Sequence, residues 1–234
     1  MRHGLPDEDG AGPPRAPVNP ETAVVAVIRY PTASNLDEFK ALEQYATVRW
    51  ARSAADLEGA AIVVLPGSKH VTSDLHWLLD TDLPPALIGK QVLGICGGMQ
   101  MLGEEVAGQP ALGLLPLTTT FADEKRTERT STRFNGLQGA WSALSGLALD
   151  GYEIRHGRTR PTGPVQEVLP DGLGYQHDAI LGIYVHGLFE QPRTLAALFG
   201  TAQQPERLEQ VFDDLADMVE ERLDLELLLR ETSR

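Results

Sequence analysis

The single cysteine of the chain sits in a setting that suits a nucleophile. An apolar run within residues 91–103 ends at Cys96, and Gly97 and Gly98 follow before a short helix-like stretch. A sharp turn from strand to helix exposes the side chain at its tip and directs the next backbone N–H groups toward the atom it attacks. A thiol placed there can act as a nucleophile, because a helix N-terminus favours the thiolate. A buried, inert cysteine is the alternative, but the two glycines favour the nucleophile.

His186 is the strongest candidate for the base that such a thiol requires. It follows the apolar stretch 180–185, which is typical of a buried strand, and it precedes a glycine. The imidazole would withdraw the thiol proton and later protonate a leaving amine. Gly97 and Gly67 are the predicted oxyanion donors, because glycine lets a ligand approach the backbone closely. These residues predict acyl transfer through a cysteine, which leaves amidases, proteases and amidotransferases open.

The elements that must position these residues alternate between buried strands and helices. Strand patterns occupy residues 23–29, 48–50, 61–65, 91–95 and 180–185, and helical patterns occupy 73–79, 194–199 and the stretch after Pro205. This alternation predicts an open, mostly parallel α/β sheet flanked by helices. Ligands of such sheets bind outside the carboxyl ends of the strands, so we expect the turns at 66–68 and 96–98 to converge on one pocket.

Two further segments have distinct local patterns. Helical spacing of apolar residues follows Asn35, which with Glu38 predicts a capped helix over about 35–45. The stretches 114–121, 129–134 and 151–154 are typical of short strands, and residues 124–133, dense in charge and threonine, predict a solvated excursion or flap.

Composition limits the kind of protein this chain can be. It has 234 residues, 42% of them hydrophobic and 23% charged, as expected for a soluble globular protein. Residues 1–21 are rich in Pro, Gly and acidic groups and predict a disordered arm or linker, so the folded domain is expected over 22–234. One cysteine excludes an internal disulfide, and without a signal peptide or spanning segment we expect a cytoplasmic protein.

Charge and ligand patterns exclude several kinds of partner. A net charge of −13 argues against a nucleic-acid-binding face, and the sequence offers no apolar run that would span a membrane. The six histidines are scattered, without cysteine pairs or His-Glu-x-x-His spacing, so no metal site is expected.

Several motifs resemble those of a known family. Residues 94–103 (GICGGMQMLG) resemble the nucleophile elbow of class I, triad-type glutamine amidotransferases. Further stretches are similar to the glutaminase domain of cobyric acid synthase: 27–31 with 34–35, 65–69, 113–116 with Lys125, 151–154 with 157–159, and 184–189. The resemblance covers about residues 22–200 and implies a flavodoxin-like class I glutamine amidotransferase domain.

The resemblance also implies a mechanism. Cys96 would attack the side-chain amide of glutamine to give a glutamyl thioester and ammonia, with His186 moving the proton. Gly67 and Gly97 would hold the oxyanion, and Gln100 and Ser68 would contact the substrate. Ammonia would then reach an ATP-activated carboxylate of a corrin, adenosylcobyrinic acid a,c-diamide in this family.

Two departures from the family pattern shape the expected site and partners. The superfamily triad usually has a glutamate two residues after the histidine, but Leu188 stands there, so we expect a Cys–His dyad with Glu190 as a possible orienter of the imidazole. The chain also has no Gly-x4-Gly-Lys-Ser/Thr phosphate-binding loop. We therefore expect ATP and Mg to bind to a partner synthetase domain or subunit that is absent from this chain.

Other functions remain open at this point. The glutaminase subunit of lipid II isoglutaminyl synthase has a similar size and elbow, although the Gly-Tyr-Glu-Ile sequence at 151–154 argues against it. A non-catalytic binding protein with this fold is favoured only by the missing acidic triad member. A cysteine hydrolase unrelated to ammonia transfer is disfavoured by Gln100 and by the motifs along the whole chain.

Overall fold

The computed structural model describes residues 23–200, in which thirteen strands and four α-helices are found. The strands are β1 (Val24–Ile28), β2 (Ala33–Ser34), β3 (Thr47–Ala51), β4 (Ile62–Leu65), β5 (Gly67–Ser68), β6 (Val92–Ile95), β7 (Glu105–Val106), β8 (Gln109–Pro110), β9 (Leu117–Arg133), β10 (Ala148–Pro161), β11 (Gln166–Leu169), β12 (Gly174–His177) and β13 (Ile180–Ile183). The helices are α1 (Val71–Leu79), α2 (Leu83–Ala86), α3 (Gly97–Leu102) and α4 (Pro192–Phe199).

Seven of these strands form the central sheet, in the order β11-β12-β13-β6-β4-β1-β3. The five strands from β13 to β3 are parallel, and β12 and β11 extend one edge in antiparallel fashion. Taken in chain order, the parallel strands follow the flavodoxin-like arrangement 2-1-3-4-5. The predicted open, mostly parallel α/β sheet is therefore confirmed.

The core strands are short apolar runs because both of their faces are covered. All residues of β4, β6 and β13 are buried, as are Val25 to Ile28 of β1. Continuous burial of this kind is typical of parallel strands between layers, and it explains why these strands could be recognised from composition alone. The sheet consequently ends in a common edge at the carboxyl termini of β1, β4, β6 and β13.

The middle of the chain differs from the prediction of short strands and a flap. Strands β9 and β10 instead form one long antiparallel hairpin, with Leu117 opposite Pro161 at its base and Arg133 opposite Ala148 at its far end. Residues 124–133 are largely exposed, as expected of a solvated segment, but they lie within β9. A bulge interrupts the pairing, since four residues of β9 (122–125) oppose His156 alone.

The prediction of a capped helix over 35–45 is wrong. Two 3-10 helices, Leu36–Phe39 and Ala41–Gln44, occupy this segment. Asn35 has φ 59° and ψ 39°, and its side chain donates to the hydroxyl of Tyr152 rather than capping the turn. The left-handed backbone at Asn35 and the tighter 3-10 winding turn Glu38 inward, where it is 1% exposed.

Two features of the described residues bear on partners and ligands. Residues 23–200 contain no helix that is long and apolar enough to cross a membrane. Within the same range, no group of three or more His, Cys, Asp and Glu side chains is arranged to hold a metal ion. The predicted arm at 1–21 and the predicted helix after Pro205 lie outside the described residues.

Candidate active site

Cys96 lies at the turn between β6 and α3, in a backbone conformation that is rare for a residue with a side chain. Its φ is 51° and its ψ is −106°. The surrounding structure holds this conformation, because the Cys96 N–H donates to the carbonyl of Ile183 at 2.7 Å and its carbonyl accepts from the N–H of Gln100 at 3.2 Å. Strained residues of this kind concentrate at functional sites. The turn is the strand-turn-helix elbow that the sequence predicts.

His186 reaches the same site from the neighbouring strand. β13 runs parallel to β6, with Ile183 opposite Ile95, so the chain beyond β13 emerges beside Cys96. The imidazole is buried, and it lines the same cavity as the side chain of Cys96. Its Nδ1 lies 3.3 Å from Oε1 of Glu38, which leaves Nε2 as the nitrogen that can exchange a proton with the thiol.

The electrostatic surroundings keep His186 protonated at neutral pH. Burial alone lowers its pKa, but the hydrogen bonds to Cys96 and Glu38, together with their negative charge, raise the pKa to about 10. An imidazole beside a thiol is the usual means by which enzymes activate sulfur as a nucleophile. The pair is therefore arranged for nucleophilic chemistry rather than as an inert buried thiol.

The long hairpin covers the imidazole. Tyr152 of β10 stacks on His186 with ring centroids 5.2 Å apart and an interplanar angle of 18°. The backbone N–H of His186 donates to the Tyr152 carbonyl at 2.9 Å, so ring and backbone are held together. The carbonyl of Ile154 lies 3.5 Å from Sγ of Cys96, so the same strand also contacts the thiol. The hairpin thus forms one wall of the site.

The glycine-rich turn after β4 lies beside the elbow, as the sequence predicts. The backbone of Ser68 lies close enough to Gly97 that a Cβ on Gly97 would be 2.9 Å from Ser68 N. Gly67 pairs with Ser34 in a short ladder and packs under the imidazole, where a Cβ would lie 3.0 Å from Cε1 of His186. Both predicted oxyanion glycines are therefore adjacent to Cys96 and His186.

Asp74 of α1 hydrogen-bonds to the turn after β4 and to the segment after β1. Its carboxylate is fully buried and accepts hydrogen bonds from the backbone N–H of Thr32 at 3.0 Å and from Thr32 Oγ1 at 2.7 Å. A third bond comes from Oγ of Ser68 at 2.5 Å. The predicted substrate contact Ser68 thus has its hydroxyl engaged by Asp74, and the carboxylate links the ends of β1 and β4.

We expect Asp74→Ala to destabilise the protein by about 3 kcal/mol, because three partly buried donors would lose their acceptor. For a domain of this size, that corresponds to a melting temperature lower by roughly 6–12 °C, measured by thermal unfolding. Asp80→Ala is the matched control, since Asp80 ends the same helix and is exposed. Equal melting temperatures for the two variants would contradict the role assigned to Asp74.

Gln100 is buried beneath the elbow at 2% exposure. Its Nε2 donates to the Tyr184 hydroxyl at 3.2 Å, and that hydroxyl also hydrogen-bonds to Thr159. Among the described residues, no group pairs with Oε1 of Gln100, which is itself buried. Arg155, whose guanidinium carbon lies 3.9 Å from the Tyr184 ring centroid, completes this polar layer.

A cavity of about 730 Å³ opens over these groups. Five of the sequence-predicted site residues line it: Ser68, Cys96, Gly97, Gln100 and His186. The bulge of β9 supplies Asp123 and Lys125 at its rim, and His70 and His156 also border it. Its size is within the usual range for small-molecule sites.

Glu38 is the site residue that sequence reasoning missed. It lies 148 positions before His186, and its spacing from Asn35 predicts a helix cap instead. Glu190, the sequence-based candidate for orienting the imidazole, is not the bonded carboxylate; that position belongs to Glu38. Burial, together with the negative charges of Glu38 and Asp37, raises the pKa of Glu190. The available signal was an acidic residue in the segment that connects the first buried strand to the next, because that segment starts at the ligand-binding edge of the sheet.

Comparison with known proteins gives a consistent family relationship. A family model described as the CobB/CobQ-like glutamine amidotransferase domain matches residues 24–194. The cobyric acid synthase of Paracidovorax citrulli is 48% identical over 95% of this chain and 50% of its own length. That of Methylibium petroleiphilum is 44% identical over 97% of this chain and 51% of its own length. The chain thus spans about half the length of these relatives.

Solved structures share the fold at low sequence identity. A glutamine amidotransferase crystal structure covers 76% of this chain and all of its own, with a TM-score of 0.58 and 20% identity. The PurLQS structure from Thermotoga maritima covers 76% of this chain and 98% of the matched chain, with a TM-score of 0.61 and 14% identity. These similarities support the fold assignment.

Proposed function

Because the chain belongs to the CobB/CobQ-like glutamine amidotransferase family, we propose that Cys96 and His186 hydrolyse the side-chain amide of glutamine through a thioester on Cys96. One observation carries this proposal: a thiol on a strained turn and a buried imidazole of raised pKa line the same cavity. This is the arrangement of an activated nucleophile with its proton carrier.

The proposed reaction proceeds in two halves. Sγ of Cys96 attacks the amide carbon of glutamine, and the carbonyl electron pair moves onto oxygen. When the intermediate collapses, the C–N bond breaks and the proton from His186 goes to the leaving nitrogen, which departs as ammonia. Neutral His186 then takes a proton from water, whose oxygen attacks the thioester carbon. The C–S bond breaks to release glutamate and restore the thiolate–imidazolium pair.

The residues around the pair have proposed roles in binding. We assign the oxyanion to the backbone N–H groups of Gly97 and Gly67, the former being the first residue of α3. Gln100, which lines the cavity, would help to position the substrate. Ser68 would contribute its backbone, since its hydroxyl is held by Asp74.

The acceptor of the ammonia is proposed from the relatives. Proteins named cobyric acid synthase match this chain over about half of their own length, so their other half is the candidate source of the synthetase activity. We propose that such a synthetase partner binds ATP and Mg and activates a corrin carboxylate for amidation. The present chain would supply it with ammonia, as one component of cobalamin biosynthesis.

Intact-mass analysis after incubation with a diazoketone analogue of glutamine tests the site. The expected result is a single adduct on Cys96, located by peptide mapping and prevented by excess glutamine. Ammonia release from glutamine would be measured on the same preparation. A folded chain that neither reacts with the analogue nor releases ammonia, alone or with a synthetase, would overturn the proposal.

A second experiment tests the acceptor. The synthetase half of the Paracidovorax citrulli relative would be mixed with this chain, ATP, Mg and adenosylcobyrinic acid a,c-diamide, with glutamine as the nitrogen donor. Mass spectrometry is expected to show stepwise gain of amides that depends on Cys96. Amidation of lipid II with a Mur-ligase-like partner, in place of the corrin, would assign the chain to cell-wall synthesis instead.

A further inference from the structure

The carboxylate of Glu38 contacts the imidazole of His186 at Nδ1. We infer that Glu38 is a positioning residue that fixes the ring and tautomer of His186, so that the site is a Cys96–His186–Glu38 relay instead of a dyad. The inference rests on the proposed function for its catalytic meaning. The contacts of Glu38 with His186 and Gly187 are present whether or not the chain hydrolyses glutamine.

Both oxygens of Glu38 are engaged on the His186 segment. Oε1 lies 3.3 Å from Nδ1 of His186, and Oε2 accepts the backbone N–H of Gly187 at 3.2 Å. The two bonds attach one carboxylate to a side chain and to the neighbouring backbone, which restricts rotation of the ring. With Nδ1–H committed to Glu38, Nε2 is the nitrogen directed to the thiol.

Burial makes this arrangement more than an incidental contact. The side chains of His186 and Glu38 are 2% and 1% exposed. A buried carboxylate is costly unless it is paired and hydrogen-bonded, and Glu38 satisfies both conditions through His186 and the backbone of Gly187. The pair is therefore a tightly specified feature of the site.

The fold positions Glu38 without relying on the imidazole. Leu36 and Phe39 of the same 3-10 helix are buried, and the Phe39 ring contacts that of Phe189 with centroids 5.7 Å apart. Phe189 lies three residues after His186, so the apolar contact fixes the two segments against each other. The carboxylate is thus presented at a preset distance from the ring.

Other charged and titratable groups also face this site. Cys96 acts electrostatically on the imidazole of His186, and Tyr152 stacks on the face of the ring. Glu190 lies in the 3-10 helix that follows Gly187. After burial, the charges of Glu38 and Asp37 raise its pKa, and the charge of His186 lowers it. Of the two glutamates, Glu38 makes the hydrogen bonds, so the two must be tested separately.

The effect on pH dependence has a defined sign. The pKa of His186 is raised from 6.5 to about 10 by Cys96 and Glu38, despite burial. The stabilisation from this raised pKa is fully present below pH 6.5 and is lost as the pH rises toward 10. Removing the charge of Glu38 is expected to lower the pKa of His186 and shift that loss to lower pH.

The decisive measurement is an NMR titration of the full chain with ¹⁵N-labelled histidine. Cys96→Ala serves as the background, because it removes the influence of the thiol without touching Glu38. The His186 resonance would be assigned by its absence in a His186→Asn protein. We expect Glu38→Gln to lower the pKa of His186 by at least about one unit and to weaken its Nδ1–H tautomer preference.

Kinetics on proteins that retain Cys96 provide the second readout. Glu38→Gln is expected to lower kcat for glutamine hydrolysis about 100-fold near neutral pH, with KM changed less than about threefold. Glu38→Asp should recover part of the rate. Asp37→Asn is the matched control, since Asp37 is an exposed acid in the same turn. Thermal unfolding of each variant would separate loss of the fold from loss of the relay.

Two results would overturn the inference. One is an unchanged titration of His186 in the Glu38→Gln protein, whatever its activity. The other is a loss of rate and a pKa shift in Glu190→Gln that are absent from Glu38→Gln. If the unaltered chain neither reacted with the glutamine analogue nor hydrolysed glutamine, alone or with a synthetase, the proposed function would fail, but the titration would still decide whether Glu38 positions the imidazole.

Discussion

Cys96→Ser is expected to reduce glutamine hydrolysis by at least about 10,000-fold while leaving the fold intact. Serine differs from cysteine by one atom, and Cys96 is 6% exposed with its backbone held by the bond to Ile183, so the turn should persist. A serine hydroxyl is a much weaker nucleophile at neutral pH than a thiol beside an imidazolium. Ammonia release, measured with matched melting curves, checks the prediction.

The analogue experiment supplies the control for this substitution. Cys96 is the single cysteine of the sequence, so Cys96→Ser protein should carry no thiol adduct. His186→Asn should retain the thiol but react more slowly, because the proton carrier is gone. A Cys96→Ser protein with unaltered hydrolysis would exclude thiol catalysis altogether.

The position of Leu188 explains why the third member of the site escaped a motif search. This residue stands where the superfamily triad usually has a glutamate, and it is fully buried among core side chains. The carboxylate that contacts His186 comes instead from Glu38. Glu38 follows β1, the first strand of the described residues, whereas His186 follows β13, the last. The site therefore retains the physical role of an acid on Nδ1 while drawing it from another element.

Cys96 and His186 were predictable because their signals are local. Each follows a short apolar run, and each is next to a glycine, so strand end and turn are visible within ten residues. Glu38 has no such signal, since the same spacing after Asn35 also fits a helix cap. Only the left-handed φ of Asn35 and the 3-10 winding distinguish a Glu38 that caps a helix from a Glu38 that faces inward. Both features depend on tertiary packing.

The hairpin shows a second limit of sequence patterns. Residues 124–133 alternate neither in polarity nor in burial, because this part of β9 pairs with β10 alone and is largely exposed. Period-two alternation marks a strand only where one face is buried. The segment therefore has the composition of a solvated loop although its backbone is regular.

Gly98→Ala is the second substitution from which we expect a large effect. In an ordinary helix this change would stabilise by roughly 1 kcal/mol. Here a Cβ on Gly98 would overlap the carbonyl oxygen of Leu65, the last residue of β4, and would lie 2.6 Å from its carbonyl carbon. Backbone cannot move aside as a flexible side chain can. We therefore expect a net destabilisation on the order of 3 kcal/mol, seen as a melting temperature roughly 6–12 °C lower.

Gly98→Ala should also change the reactivity of Cys96. The overlap is relieved when α3 moves away from β4, and Cys96 immediately precedes α3. Labelling of Cys96 by the glutamine analogue is therefore expected to slow in Gly98→Ala even below its melting temperature. Gly163→Ala is the matched control, since a Cβ there would meet only Pro116, at an ordinary 3.5 Å. If Gly98→Ala and Gly163→Ala melted and reacted alike, the close packing of α3 on β4 could not be what holds the nucleophile in place.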